Sequence, residues 1–186
     1  MKNSINLRFG VIAGMIAIAA VSRFLFLTPS LANFSPVGAM ALFGGAYFAN
    51  KRWAYALPVL ALWLSNLVLN NVFYKEYYPS FSMGFEWGTF VSFAVVVTAG
   101  VVLLKKVTLT NLLAANVVGT LGFFIVSNLC VWLGGQLYTT DMNGLVECYG
   151  NALPFLRNTM LSNLLFSGVM FGAFELAKRQ VPKLAV

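Results

Sequence analysis

Six apolar runs, with cations clustered at the two termini and after every second run, constrain this 186-residue chain more than any other feature. The runs lie at about 9–27, 36–50, 53–72, 87–104, 109–134 and 158–177. About 20 apolar residues suffice for a helix that crosses the roughly 30 Å hydrocarbon core of a membrane. We therefore predict an all-α protein that forms a single integral membrane domain over residues 1–186, with six transmembrane helices.

The positions of the cations predict the orientation of these helices. Nine of the twelve Lys and Arg residues lie at the N-terminus, after every second run or at the C-terminus, and only Arg23, Lys75 and Arg157 fall on the other side. Cytoplasmic loops of membrane proteins carry an excess of Lys and Arg. We therefore expect both termini to be cytoplasmic in a bacterial inner membrane, with contact to the lipid bilayer rather than to nucleic acid explaining the net charge of +7.

The connections between the runs differ in length on the two sides. The outward connections are 28–35, 73–86 and 135–157, of which the last is the longest, whereas the inward ones near 51–52 and 105–108 are very short. Function is often carried by loops on a rigid scaffold. We therefore expect the outer face to hold the functional site.

The composition argues against an enzyme. The chain has no histidine, and its single aspartate, Asp141, lies in a predicted loop, so histidine bases, histidine metal ligands and an aspartyl dyad inside the membrane are excluded. Cys130 and Cys148 form no CxxC motif, and whether they pair stays open. We expect no catalytic residue, no metal and no cofactor.

Three of the runs contain the same tripeptide, Ser-Asn-Leu, with the amides at Asn66, Asn128 and Asn163. The predicted topology places each amide in the outer third of its helix, and Asn70 lies one turn nearer the surface. An amide inside a membrane needs a hydrogen-bond partner. Two interpretations stay open: the amides bind a polar ligand together, or they join the helices to one another.

Aromatic residues gather near the same face. We predict that Trp132, Tyr138 and Tyr149 line a shared cavity with the amides and stack on a ring-shaped solute, although an interfacial belt would have the same composition. No carboxylate lies in the middle of a run, which argues against a transporter that drives its own transport.

Small residues four apart lie in the first run at Gly10 and Gly14 and at Ala13 and Ala17. Such a face allows the close approach of another helix. The partner could be a helix of this chain or a separate membrane subunit.

Three segments carry a resemblance to a known family. They are NFSPVGAMALFGGAYF at 33–48, SNLCVWL at 127–133 and GLVECYGNALPF at 144–155. They resemble an uncharacterised family of small bacterial membrane proteins labelled as transport proteins. That family in turn is similar to the substrate-binding S components of energy-coupling factor (ECF) vitamin transporters.

The resemblance implies a six-helix bundle whose outer loops cover a ligand. In S components an Ala-x-x-x-Ala face on the first helix meets a membrane scaffold subunit, and separate ATPases supply the energy. Ala13 and Ala17 match that motif. A cobalamin-binding group similar to S components has a cysteine near its ligand, which makes Cys148 a further candidate for the site.

Two functions follow as expectations. The first is the substrate-binding component of a micronutrient or vitamin-type transporter, which captures a small solute from the outer side without catalysis. The second is an integral subunit that scaffolds a larger membrane or envelope complex. A small molecule bound beneath the outer loops would favour the first, and a dry core with every amide paired would favour the second.

Overall fold

The computed structural model describes residues 2–28 and 31–185, and this part of the chain is helical without β-strands. Short turns supplement the main helices, among them the 3₁₀ turns Arg23–Leu25 and Pro182–Leu184 and the π turn Leu69–Phe73. The main helices are α1 (Lys2–Ser22), α2 (Val37–Tyr47), α3 (Lys51–Val68), α4 (Trp87–Leu103), α5 (Leu109–Gly134) and α6 (Met142–Gln180). The predicted all-α class is confirmed.

Four helical segments in the described part of the chain are long and apolar enough to cross a membrane. They are Leu7–Leu25, Lys51–Phe73, Leu109–Gly134 and Met142–Gln180. Large apolar side chains such as Ile18, Leu133 and Val169 are exposed on the outside of these helices. Apolar surface of this extent is typical of a protein that sits in lipid rather than in water, so the chain has the make-up of a membrane protein.

Helix α2 lies at the centre of the bundle. The run 36–50 predicts a membrane span, but the helix has only 11 residues, which is roughly 16 Å at 1.5 Å per residue. Its residues 39–45 are all buried, and it contacts each of the other five helices. A helix that is apolar on every side is therefore explained here by burial among other helices.

Two glycines let α2 and α4 touch through their backbones. A Cβ atom on Gly45 would lie 2.6 Å from the carbonyl oxygen of Val97, and one on Gly100 would lie 2.7 Å from the carbonyl oxygen of Leu42. Real Cβ atoms do not approach so closely. The contact therefore requires glycine on both helices, and it fixes the position of α2 inside the bundle.

Helix α6 is longer than the sequence predicts. The run 158–177 lies within it, but the predicted loop 135–157 is wrong from residue 142 onward, because the helix begins at Met142 and spans 39 residues. Asp141 is the N-cap residue of α6. Its carboxylate accepts hydrogen bonds of 2.8 Å from the Gly144 N–H and from the Thr139 hydroxyl. These two donors lower the pKa of Asp141, as expected for a carboxylate at a helix N-terminus.

The polar residues that suggest a loop lie on one face of this helix. Asn143, Glu147 and Asn151 are exposed and four residues apart, whereas Gly144 and Cys148, on a different face, are buried. This is the period of an amphipathic helix. The other four apolar runs coincide with helices to within a few residues, except that α1 begins earlier, at Lys2.

We expect Gly100→Ala to destabilise the protein, because the added methyl group meets the α2 backbone rather than a side chain that could move. Overpacking of this kind costs about 1–3 kcal/mol. Gly172→Ala is the matched control, since Gly172 is also helical and a Cβ atom there would meet nothing within 4 Å. Thermal unfolding of both variants in detergent measures the difference, and equal melting temperatures would show that α2 and α4 are not in backbone contact.

Candidate functional site

A polar cavity of about 290 Å³ opens at one end of the bundle. All the main helices, or the turns that extend them, contribute to its wall, as do the segments before α2 and before α4. Most of its lining residues are polar or charged. They are Arg23, Asn33, Ser35, Val37, Gly38, Leu62, Asn66, Leu69, Asn70, Tyr74, Tyr78, Glu86, Thr89, Phe93, Val96, Phe123, Thr159 and Asn163.

The first turn of α2 and the amide of Asn163 form one wall of the cavity. A Cβ atom on Gly38 would overlap the Asn163 amide, so glycine at this position gives the amide its space. The Asn163 Nδ2 donates a hydrogen bond of 2.8 Å to the Thr120 hydroxyl on α5. Its Oδ1 accepts no hydrogen bond within the described residues. The amide therefore joins two helices with its nitrogen and keeps its oxygen for other donors.

Helix α3 and its π turn supply two further amides. Asn66 and Asn70 are 8% and 7% exposed. The Asn70 Nδ2 donates a hydrogen bond of 3.1 Å to the Ser82 hydroxyl, whereas the Asn66 side chain forms no hydrogen bond with any residue that the structure describes. A buried amide without a partner costs free energy, so Asn66 requires water or a ligand in the cavity.

Two opposite charges line the same cavity without pairing. The Arg23 guanidinium donates to the Ser65 hydroxyl and, at 3.4 Å, to the Leu62 carbonyl oxygen. The Glu86 carboxylate accepts from the Thr89 hydroxyl at 3.0 Å and from the Tyr78 hydroxyl at 3.4 Å. Within the described residues, neither Arg23 nor Glu86 forms an ion pair. Each charge therefore has neutral hydrogen-bond partners only.

The segment 74–86 is fastened over the end of α3. Asn71 and Ser82 exchange two hydrogen bonds, of 2.7 Å and 2.9 Å, and the Trp63 indole donates one of 2.9 Å to the Met83 carbonyl oxygen. Gly84 has a φ of +63° and lies so close to the α3 backbone that a Cβ atom would be 2.9 Å from the Leu67 nitrogen. These contacts hold the segment that carries Tyr78 and Glu86.

Tyr78 stands beside Glu86 near the mouth of the cavity. Its partial burial, and then the nearby carboxylate, raise the pKa of the Tyr78 hydroxyl above its ordinary value. The hydroxyl therefore stays protonated over a wide pH range and donates its hydrogen bond to Glu86.

The structure brings three of the four predicted amides to this cavity: Asn66, Asn70 and Asn163. Asn128 lies instead in a smaller cavity of about 90 Å³, and its Nδ2 donates at 2.8 Å to the Phe124 carbonyl oxygen of its own helix. The two cavities share lining residues, among them Phe123 and Thr159.

The other four predicted site residues line neither cavity. They hold the link before α6 and the first turns of α6 against α5. The Trp132 indole donates to the carbonyl oxygens of Thr139 at 3.0 Å and Asp141 at 3.2 Å. The remaining hydrogen bonds are Tyr149 to the Ile125 carbonyl oxygen at 2.6 Å, Cys148 to the Asn128 carbonyl oxygen at 3.5 Å, and Asn151 to the Tyr138 hydroxyl at 3.5 Å.

Comparison with known proteins places the chain in a family without assigning its activity. The model of a family of unknown function, DUF6580, matches residues 3–184. The chain belongs to the DUF6580 family. Searches of curated proteins and of solved structures found no match. The function of this DUF6580 member therefore has to be argued from the cavity itself.

The charged residues of the cavity, Arg23 and Glu86, are not among the site residues that the sequence predicts. Arg23 and Glu86 were visible only as charges at the ends of apolar runs, a position that also suits a residue facing lipid headgroups. Arg23 stands apart as the single cation in the outer part of the first run, on the side where cations are rare. That isolation is the one signal that could have marked it.

A second, apolar cavity of about 350 Å³ forms a groove between α1 and α3. Ala13 and Ala17, the predicted partner-binding residues, line it together with residues such as Leu60 and Leu64. Ala17 is exposed and Ala13 is half-buried. Small side chains on α1 thus leave a groove that the described residues do not fill.

Proposed function

We propose that this protein is the substrate-binding membrane component of a micronutrient or vitamin transporter and that it captures a small solute without catalysis. The observation that carries the proposal is the polar cavity in an otherwise apolar helical bundle. Its volume of about 290 Å³ is close to the lower end of the ~300–1,000 Å³ range of small-molecule sites. A small solute is therefore the occupant that its size supports.

The chemistry of the lining supports the same proposal. Buried polar groups in a membrane protein are costly unless they are hydrogen-bonded. Asn66 and the Oδ1 of Asn163 have no such partner among the described residues, although Asn163 shows that neighbouring helices can supply one. Polar groups left open toward a shared cavity are what a polar ligand would use.

The distribution of charge supports a six-span topology with the cavity on the outer side. The opposite end of the bundle holds a cluster of charged residues, in which the Tyr47 hydroxyl donates to Glu175 at 2.6 Å and Glu175 pairs with Lys178 at 2.9 Å. At the same end of the bundle, Arg8 donates a hydrogen bond to the Tyr47 carbonyl oxygen. A cation-rich end is typical of the cytoplasmic side of a bacterial inner membrane, and it supports a topology with both termini inside.

Capture of a solute is the first test. Purified protein in lipid nanodiscs is incubated with the water-soluble vitamins and the twenty amino acids, washed, and analysed for retained molecules by mass spectrometry. We expect one compound to be retained and Asn66→Leu to weaken its binding by about 1–3 kcal/mol, as for an unpaired polar group.

Asn128→Leu is the matched control for this test, because Asn128 lies in the smaller cavity and bonds its own helix. Binding that Asn128→Leu weakens as much as Asn66→Leu would place the solute elsewhere. Retention of no compound at all would contradict solute capture.

The topology can be tested with two exposed lysines at opposite ends of the bundle. With Cys130 and Cys148 replaced by alanine, we expect a membrane-impermeant maleimide to label Lys75→Cys in intact spheroplasts. Lys106→Cys should react only after lysis, since it lies at the cation-rich end. The reverse pattern would place the cavity on the cytoplasmic side.

An external motor would have to drive transport in this proposal, and the groove at Ala13 and Ala17 offers it a docking surface like that of ECF S components. Filling the groove should prevent close helix approach. We expect Ala13→Trp with Ala17→Trp to abolish cellular uptake of the retained compound while leaving binding intact. Ile18→Trp is the control, since Ile18 is exposed on α1 outside the groove. Normal uptake by the double variant would argue against this docking surface.

A scaffolding subunit is the second candidate function, and the paired amides in the bundle favour it. The Ser167 hydroxyl donates to Asn116 at 3.0 Å, and Asn163 donates to Thr120. Both contacts join α5 to α6, as amides do when they serve only to hold helices together. An empty cavity in the capture experiment would leave this function as the better account.

A further inference from the structure

We infer that the captured solute is a zwitterion, with an anionic group held by Arg23 and a cationic group held by Glu86. The inference rests on the proposed function and names the substrate class of the same cavity. Arg23 and Glu86 both line this cavity, at the end of α1 and just before α4. The one ion pair among the described residues, between Glu175 and Lys178, does not involve them.

Arg23 supplies the site for the anionic group. It is half-buried, and one of its guanidinium nitrogens, Nη1, is used by Ser65 and Leu62. Both of these acceptors are uncharged, so the positive charge is not neutralised by them. A carboxylate or phosphate would supply the missing charge and the geometry that a guanidinium prefers. The first turn of α2, with Val37 and Gly38, lies on the same cavity and adds partial positive charge.

Glu86 supplies the site for the cationic group. Its carboxylate is held by two hydroxyl groups, from Thr89 and Tyr78, which orient it without neutralising it. Glu86 is exposed, so it stands at the mouth of the cavity, whereas Arg23 is more enclosed. The solute would therefore enter with its anionic group first and leave its cationic group near the opening.

The balance of charge selects against solutes with a single charge. The two charged lining residues sum to zero, and a zwitterion also has no net charge. A solute that carries one charge would give the partly desolvated site a net charge, which is costly. The rest of the solute would lie against aromatic lining residues such as Phe93 and Phe123.

The test compares matched solutes in lipid nanodiscs. Three sets are offered, each made of an amino acid, its amine and its acid: tryptophan, tryptamine and indole-3-propionate; phenylalanine, phenethylamine and 3-phenylpropionate; and tyrosine, tyramine and 3-(4-hydroxyphenyl)propionate. The water-soluble vitamins, which include cations, anions and neutral molecules, are added to the same mixture. We expect the retained compound to carry both an anionic and a cationic group at pH 7.

Variants of Arg23 and Glu86 then test which residue binds which charged group of the retained compound. Arg23→Gln and Glu86→Gln should each weaken binding about tenfold to hundredfold, the effect of losing a hydrogen bond to a charged group. Arg23→Lys should retain much of the affinity because it keeps the charge. Ser65→Ala controls for folding, since it removes the same hydrogen bond between α1 and α3 but leaves the charge of Arg23 in place.

Exposed charges outside the cavity serve as matched controls. Lys75→Gln and Glu76→Gln make the same changes of charge in exposed residues that do not line the cavity, and they should leave binding unchanged. A retained compound that is neutral or singly charged would overturn the zwitterion inference and leave solute capture standing. The same conclusion would follow if a zwitterion were retained but neither Arg23→Gln nor Glu86→Gln weakened its binding. Retention of nothing would overturn solute capture and this inference with it.

Discussion

The short length of α2 is the constraint on which the rest of this structure depends. At 11 residues, α2 by itself is shorter than the hydrocarbon core of a membrane, and the glycine contact with α4 holds it within the bundle. The space that a longer helix would fill is left open beyond its first turn. The cavity occupies that space, and the residues just before α2, Asn33 and Ser35, form part of its wall.

Hydrogen bonding divides the buried polar residues into two groups. Asn116, Thr120 and Ser167 are satisfied between α5 and α6 and hold the bundle together. Asn66 and the Oδ1 of Asn163 face the cavity and lack such partners within the described residues. The interpretation that amides join helices therefore holds for the Nδ2 of Asn163, whereas the Asn66 side chain and the Oδ1 of Asn163 are open to water or a ligand.

The sequence was sufficient for the helical class and for most helix positions, because continuous apolar runs identify helices in lipid. It was not sufficient for α2 or for the start of α6. A run of apolar residues has the same composition whether lipid or other helices surround it. The polar, glycine-containing segment 142–157 resembles a loop unless its period of four residues is noticed.

The site was predictable only in part for a related reason. The depth of a residue along its helix can be read from the sequence. On this basis Asn66, Asn70 and Asn163 are predicted at one end of the bundle, where the structure has them. The direction in which a side chain points around its helix depends on how the helices pack, which no run length reveals. Asn128 has the predicted residue type, yet it lies in the neighbouring, smaller cavity.

The π turn at Leu69–Phe73 determines the direction, around the axis of α3, in which the residues that follow it point. In a regular α-helix, residues four apart drift about 40° around the axis, so three such residues spread over roughly 80°. Asn66, Asn70 and Tyr74 are spaced by four, yet all three line the cavity. The wider turn, closed by the Tyr74 N–H bond to the Leu69 carbonyl oxygen at 2.8 Å, offsets that drift. Deleting one residue from this turn would therefore rotate Tyr74 away from the face that carries Asn66 and Asn70.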